Sequence, residues 1–450
     1  MTYFFETYGC QMNSAESAAL VLACRERGWD VAPDGESADL VLLNTCSVRL
    51  TAEQRALGRI ALYASLKKKR RAQGQRFALV VAGCMAQRMG ESLKEQFPAV
   101  DYVMGTASRS AFPQILAAVE QNSGPSPFPQ IAADETPEFS FSSSHLEEGQ
   151  FRSFVPIMHG CDNFCSYCIV PYVRGREVCR DPALVAEEIR LVGERGVREI
   201  TLLGQNVNTY SWRGGEVDFA GLLRIAAKAA KASGVRWLRF LSANPRDFSP
   251  ETIRAMAEDP VFCRHLHLPV QHGSNSILAA MNRGYTREQY LALVAGIRRA
   301  MPEISLSTDI LVGFPGETEE DAEETLSLME EVRFLYAYMY HFNPREGTAA
   351  CSLPGRISEE IKRERLARVI ELQKKHTGLL LKQRLGAREC VLVEGISRKN
   401  ADELVTRTER DEMAVVPGPA SMTGSFAELT LSGLRGNTFR AKELTVCPGV

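Results

Sequence analysis

The chain has 450 residues, enough for about three domains. Its 45% hydrophobic and 24% charged content is that of ordinary globular protein and excludes a disordered or fibrous chain. A formal net charge of −2 excludes a globally polycationic nucleic-acid binder, so any site for a polyanion must come from local patches.

No apolar run approaches the roughly 18 residues of a membrane span. The N-terminus, Met1-Thr-Tyr-Phe-Phe-Glu-Thr-Tyr, lacks a basic start, an apolar stretch and a cleavage site. The expectation is a cytoplasmic protein without membrane attachment. There thiols stay reduced, and the twelve cysteines read as metal-binding or catalytic rather than as disulfides.

In chain order, strands are predicted at Tyr3–Phe5, Leu40–Leu43, Phe77–Ala82 and Tyr102–Met104. Helices are predicted between and after them at Ser14–Arg27, Thr51–Arg71, Gln87–Phe97 and Arg109–Glu120. This alternation predicts an α/β fold, with a doubly wound parallel sheet over residues 1–120. Residues 121–146, rich in Ser, Pro and Gly, read as a linker. Alternation then resumes, with strands predicted at Phe154–Met158, Glu199–Leu203, Arg236–Phe240, His265–Leu268, Ser305–Val312 and Phe334–Tyr340. Six such units over 147–377 fit a partial (β/α)6 barrel, whose chemistry belongs at the C-terminal strand ends. Ser358–Arg384 reads as a long, basic amphipathic helix. Short runs at Glu389–Glu394, Leu404–Arg407, Ala414–Val416, Phe426–Leu431 and Ala441–Val446 predict a small all-β barrel over 378–446.

Cys161, Cys165 and Cys168 are spaced C-x3-C-x2-C directly after the first strand of the predicted barrel. Thiolates suit iron–sulfur clusters, and three of them on one short loop leave one iron of a four-iron cube open for a ligand. The alternatives are a zinc site with a distant fourth ligand, or packed cysteines. Zinc sites usually pair C-x2-C with a second such pair, which is missing here.

The triplet, with aromatic Tyr167 before its last cysteine, resembles the signature of the radical S-adenosylmethionine superfamily. The resemblance implies that Cys161, Cys165 and Cys168 hold a 4Fe–4S cluster. Its free iron would chelate S-adenosylmethionine, and an electron would cleave that cofactor to a 5′-deoxyadenosyl radical. Further cofactor contacts are expected at strand ends: Tyr167 in the loop, then Gln205 and Asn206 where the superfamily has Gly-Gly-Glu. Gln271 follows in Leu268-Pro-Val-Gln271-His-Gly-Ser274-Asn275, and Gly313 and Glu317 in Ile310-Leu-Val-Gly313-Phe-Pro-Gly316-Glu317. Each of these turns is also readable as an ordinary loop.

Cys10, Cys46 and Cys84 each follow a predicted strand closely, in Tyr8-Gly-Cys10, Asn44-Thr-Cys46 and Ala82-Gly-Cys84. Equivalent positions on one parallel sheet converge at one edge, where open α/β sheets bind ligands. Free cysteines are otherwise often buried small hydrophobes. That reading suits Cys24, Cys179, Cys263, Cys351, Cys390 and Cys447, whereas the polar and glycine turns around the other three favour a second, auxiliary cluster.

The whole order resembles the methylthiotransferase family: a three-cysteine domain, a radical barrel and a C-terminal TRAM domain. Thr7-Tyr-Gly-Cys-Gln-Met-Asn13, His159-Gly-Cys through Val170-Pro-Tyr-Val-Arg-Gly-Arg-Glu177, and Tyr340-His-Phe-Asn-Pro-Arg-Glu-Gly-Thr348 resemble its tRNA-directed branch. The resemblance implies conversion of N6-isopentenyladenosine at position 37 of tRNA, in the anticodon stem-loop, to its 2-methylthio derivative. S-adenosylmethionine would be both methyl donor and radical source, and no catalytic side chain beyond the cluster ligands is expected. An external electron donor and a sulfur- or cluster-supplying protein are implied partners of a monomer.

RNA binding needs local positive charge. Lys67-Lys-Lys-Arg-Arg71 and the run through Lys374, Lys375, Lys382 and Arg384 offer it, although such runs more often form solvated helix faces. The rival readings are a sister enzyme acting on threonylcarbamoyladenosine or on a ribosomal-protein aspartate, and a non-catalytic RNA-binding protein with structural zinc.

Overall fold

The computed structural model describes residues 1–48, 50–122 and 149–447. The expected linker lies almost wholly outside them.

The first unit contains β1 (Thr2–Thr7), α1 (Gln11–Glu26), β2 (Asp30–Val31), β3 (Leu40–Thr45), α2 (Leu50–Ala72), β4 (Ala78–Gly83), α3 (Cys84–Met89), α4 (Glu91–Gln96), β5 (Tyr102–Met104) and α5 (Phe112–Glu120). Its five strands pair in parallel in the order β2-β1-β3-β4-β5. Strands β3 and β4 are buried throughout because helices cover both faces. Leu40, Leu42 and Val80 pack with Leu20, Phe112 and Leu116 on one side. Val41, Leu43, Leu79 and Val81 pack with Ile60, Tyr63, Met85 and Leu93 on the other.

The second unit opens with β6 (Arg152–Pro156), β7 (Met158–His159), α6 (Val170–Arg174), β8 (Val178–Cys179) and α7 (Pro182–Glu194). It continues through β9 (Glu199–Leu203), the short hairpin β10 (Ser211–Trp212) and β11 (Val217–Asp218), α8 (Phe219–Ala232), β12 (Trp237–Phe240) and α9 (Pro250–Glu258). It ends with β13 (His265–His267), α10 (Asn275–Ala280), α11 (Arg287–Ala300), β14 (Ser305–Val312), α12 (Glu319–Val332), β15 (Tyr336–His341) and α13 (Glu359–Gln383). Two parallel three-stranded sheets, β6-β9-β12 and β13-β14-β15, form the wall. A parallel bridge from Leu238 to Phe262 joins them. Alternate strand residues point outward into one core with the surrounding helices, among them Ile200, Leu202, Leu238, Leu266, Leu306 and Ile310. The intervening residues give a polar lumen: Ser307 Oγ sits 3.0 Å from both His265 Nε2 and His267 Nδ1.

The third unit comprises β16 (Arg388–Ser397), β17 (Asn400–Thr408), β18 (Met413–Pro417), β19 (Phe426–Thr430), β20 (Gly433–Arg435), β21 (Thr438–Arg440) and β22 (Thr445–Val446). They form one sheet in the order β20-β21-β18-β17-β16-β19-β22. The run predicted at Ala441–Val446 is instead split, with β21 ending before it and only Thr445–Val446 pairing, against β19. Helix α13 runs unbroken across the expected boundary at 377/378, and its Leu381 enters the core of the β unit.

The outer units sit at opposite ends of the barrel. Arg407 of β17 pairs with Glu199 and Glu394 with Arg152, both at strand starts. Met12 and Ala15 of α1 cluster instead with Leu203 at a strand end, and Cys10 and Leu241 pack against that cluster.

Candidate active site at the barrel mouth

Local polar packing shapes the loops that carry the N-terminal cysteines. Cys10 caps α1, Cys46 follows β3, and Cys84 begins α3 immediately after β4. Because β1, β3 and β4 are parallel neighbours, all three loops leave the same sheet edge. Buried Asn13 and Asn44 tie two of them together. Asn13 Nδ2 donates to Asn44 Oδ1 at 3.0 Å and to the Thr45 carbonyl at 3.1 Å, and Asn44 Nδ2 donates to the Asn13 carbonyl at 2.9 Å. Gly83 has φ +93°, and a Cβ there would lie 2.4 Å from the Thr45 carbonyl oxygen. Only glycine lets β4 pass so close to the Cys46 loop. Cys84 lies within electrostatic range of Cys46 and Cys10, and burial pushes its thiol up to about 11.

The second cysteine loop follows β7. Gly160 has φ +78°, and a Cβ would collide with the Arg176 carbonyl at 1.9 Å. The loop is held by the Cys161 amide donating to the Gly175 carbonyl (3.2 Å) and the Cys168 amide to the Cys165 carbonyl (2.9 Å). Phe164 takes a left-handed conformation, φ +44°, costly for a bulky side chain. Asn282 Nδ2 holds it there, donating to the carbonyls of Asn163 (3.2 Å) and Phe164 (3.1 Å). Arg283 Nη1 donates to Cys165 Sγ at 3.4 Å. Burial pushes the Cys161 thiol up to about 11 and Cys168 up to about 12.

The two loops meet across α6. Cys84 packs on Ile169 and Val173, the former next to Cys168, and Thr106 Oγ1 donates to the Val173 carbonyl. On the other side Arg345 Nη2 donates to the Val48 carbonyl at 2.9 Å. Both triads therefore border the C-terminal ends of the barrel strands. At that mouth Gln205 Oε1, Asn206 Oδ1 and both polar side-chain atoms of Asn208 are buried without a hydrogen-bond partner. Such atoms cost about 1–3 kcal/mol each unless a ligand satisfies them.

Among the described residues, no three His, Cys, Asp or Glu side chains close on a single ion. Each triad consists only of soft thiolate donors, and three of them suit a four-iron cluster with one open iron.

The other expected contacts separate. Gln205 and Asn206 stand at the mouth, with Asn206 Nδ2 donating to Asp247 Oδ2 at 2.9 Å. Gln271 takes φ +71° and bridges to Ile310 of β14. Tyr167 packs among Ile277, Met281, Phe314 and Phe342, and burial pushes its phenol upward. Gly313 has φ +71° and accommodates Lys362 Cγ, 2.4 Å from where a Cβ would be. Glu317 is buried: it accepts from the Phe314 amide at 2.9 Å and pairs with Arg365 at 3.1 Å. The structure thus gives Gly313 and Glu317 packing partners in place of an open face. Arg384 is tied to Glu389 and Glu412, and Lys375 lies 4.0 Å from Glu330, while Lys374 and Lys382 stand exposed. In the other basic run Lys67 is buried against Asp101.

Sequence reasoning missed Asn208, Arg283, and the buried set of Glu16, Arg109 and Arg174. Arg174 lies within the Val170–Glu177 run, yet its partner Glu16 is 158 residues away, and the Cys165 partner of Arg283 is 118 residues away.

A model of the Radical SAM superfamily matches residues 155–329, and one described as an uncharacterized protein family, UPF0004, matches residues 2–105. The radical S-adenosylmethionine methyltransferase TsrM from Kitasatospora setae superposes with a TM-score of 0.53 at 16% identity, covering 76% of this chain and 74% of that one. The cobalamin-dependent S-adenosylmethionine radical enzyme OxsB gives 0.51 at 11% identity, over 83% and 56%. These two likenesses bear on the fold alone. Curated proteins are much nearer: tRNA-2-methylthio-N(6)-dimethylallyladenosine synthases of Treponema pallidum and Treponema denticola are each 48% identical over 98% of this chain and 98–99% of theirs. That of Geobacter metallireducens is 43% identical over 95% of both. The chain belongs to the tRNA-2-methylthio-N(6)-dimethylallyladenosine synthase family. As a member of the radical SAM superfamily, this synthase-family chain places its C-x3-C-x2-C loop within the matched barrel. Its other triad falls within the UPF0004 match. No helix among the described residues is long and apolar enough to cross a membrane.

Proposed function

We propose that the protein methylthiolates C2 of N6-isopentenyladenosine at position 37 of tRNA, drawing on S-adenosylmethionine for both methyl group and radical. The observation that carries this reading is the meeting of two cysteine triads across α6 at one barrel mouth.

An aromatic C2–H bond offers neither an acidic proton nor a leaving group, so acid–base catalysis has little purchase on it. When bound, the two 4Fe–4S clusters supply the electron that cleaves S-adenosylmethionine and an open iron that carries sulfur. Cys161, Cys165 and Cys168 would hold one, and Cys10, Cys46 and Cys84 the other. Arg283 orients the Cys165 thiolate, and Gln205, Asn206 and Asn208 present unsatisfied polar atoms to the cofactor or base. Exposed Tyr338 and Tyr340 on edge strand β15 offer stacking faces for a base splayed from the anticodon loop.

Residues 1–120 act as the auxiliary-cluster domain, 147–377 as the radical domain, and 378–446 as a TRAM-type barrel that grips RNA with help from Lys374 and Lys382. The protein works as a cytoplasmic monomer with an external electron donor and a sulfur supplier.

Nucleoside analysis of tRNA from a strain lacking this protein tests the substrate. Isopentenyladenosine should accumulate while its methylthio derivative disappears, and return of the protein should reverse both. An unchanged nucleoside profile overturns the assignment.

A further inference from the structure

Glu16 of α1, with its side chain 2% exposed, is paired with two arginines, Arg109 and Arg174. Arg174 Nη1 donates to Glu16 Oε1 at 2.6 Å, and its side chain is 4% exposed. Its other terminal nitrogen, Nη2, is buried and has no partner. Arg174 ends α6, one residue after Val173, which packs on Cys84, and its guanidinium lies within electrostatic range of Cys84 and Cys10. A buried guanidinium N–H without an acceptor is costly, so Nη2 calls for an acceptor beside the N-terminal cysteines.

Resting on the two-cluster reading above, we infer that Arg174 is a positioning residue whose free Nη2 hydrogen-bonds the anionic sulfur carried on the open iron of the auxiliary cluster. Glu16 anchors the guanidinium through Nη1 and leaves Nη2 turned to that ligand. The sulfur lone pair binds iron while the guanidinium N–H donates to the same atom. No electron changes hands and no other bond breaks. Coupling through α6 also places this donor on the element that packs beside Cys168, so the sulfur is held on the side facing the radical loop.

The test uses full-length protein in which Cys161, Cys165 and Cys168 are all replaced by alanine, so that only auxiliary iron contributes to the spectrum. Methanethiolate is titrated anaerobically and its binding followed by electron paramagnetic resonance and reduction potential. Arg174→Lys keeps the charge and the Glu16 pairing but loses Nη2, and should retain iron while binding methanethiolate about tenfold more weakly or worse. Arg174→Met removes the donor and its positive charge while Arg109 stays paired with Glu16, and should weaken binding similarly and shift the potential to more negative values. Unchanged methanethiolate affinity in both variants overturns the inference. Loss of auxiliary iron from both also overturns it, by assigning Arg174 to holding the cysteine loops. Absence of auxiliary iron from the protein with native Arg174 would instead remove the two-cluster reading.

Discussion

At the scale of single residues, Gly83 sets the geometry of the N-terminal triad, since its left-handed backbone lets β4 touch the Cys46 loop. Gly83→Ala should cost at least about 1–2 kcal/mol from the left-handed conformation alone, with a clash added. Denaturant unfolding should show that loss, and iron analysis a protein depleted at the auxiliary site. The buried thiols make a pH prediction. Burial pushes Cys84 and Cys161 up to about 11, whereas an unfolded thiol titrates near 8.5. Between those values the unfolded chain has released protons that the folded apoprotein keeps, so apoprotein stability should fall as pH rises. Cluster ligation has already displaced those protons, and loaded protein should lack this loss. Unfolding midpoints at about pH 7.5 and about 9.5 check it, and an equal response of both forms contradicts it. The cysteines were legible because spacing and strand ends are local properties. Arg283 and Arg174 were not, because their partners lie 118 and 158 residues away. Gly313 and Glu317 read as cofactor contacts from their turn, yet Lys362 and Arg365, from a later helix, meet them.

Among the elements, α6 and the C-x3-C-x2-C loop couple the two domains. The loop's strain at Phe164 is held from outside by Asn282 at the end of α10. Asn282→Ala removes the donor to two carbonyls and should release the loop, lowering 5′-deoxyadenosine formation several-fold while leaving auxiliary iron intact. Separate iron quantification and cofactor-cleavage assays distinguish these effects, and loss of both equally would mean a general unfolding. Strands such as Glu199–Leu203 and Ser305–Val312 were readable to the residue, because turn and cap residues bound their apolar alternation. The last β run was not. The predicted strand at Ala441–Val446 is displaced because Gly436 turns the chain so that Thr438–Arg440 pairs with both β18 and β20.

At the scale of the whole molecule, the barrel separates its two attachments: cysteine chemistry at the strand ends and the β unit at the strand starts. Arg407 pairs with Glu199, Glu394 and Asp411, and with Arg239 completes a buried ionic seam. Arg407→Met leaves those carboxylates short of a cation and should cost about 3 kcal/mol of stability, visible as a lower denaturation midpoint. It should weaken tRNA binding more than cofactor cleavage. Replacing Lys374, Lys375 and Lys382 by alanine should flatten the salt dependence of tRNA affinity, by a log–log slope of about one for each phosphate no longer neutralised. An unchanged slope would remove α13 from the RNA surface.

The most direct test of the division of labour is to assay Cys161→Ala and the triple Cys10→Ala/Cys46→Ala/Cys84→Ala variant with isopentenyladenosine-containing tRNA, S-adenosylmethionine and reductant. Products are read by mass spectrometry as 5′-deoxyadenosine and methylthiolated nucleoside. Cys161→Ala should yield neither. The triple variant should cleave the cofactor yet deliver no methylthio group, whereas sulfur transfer by that variant would contradict a two-cluster site.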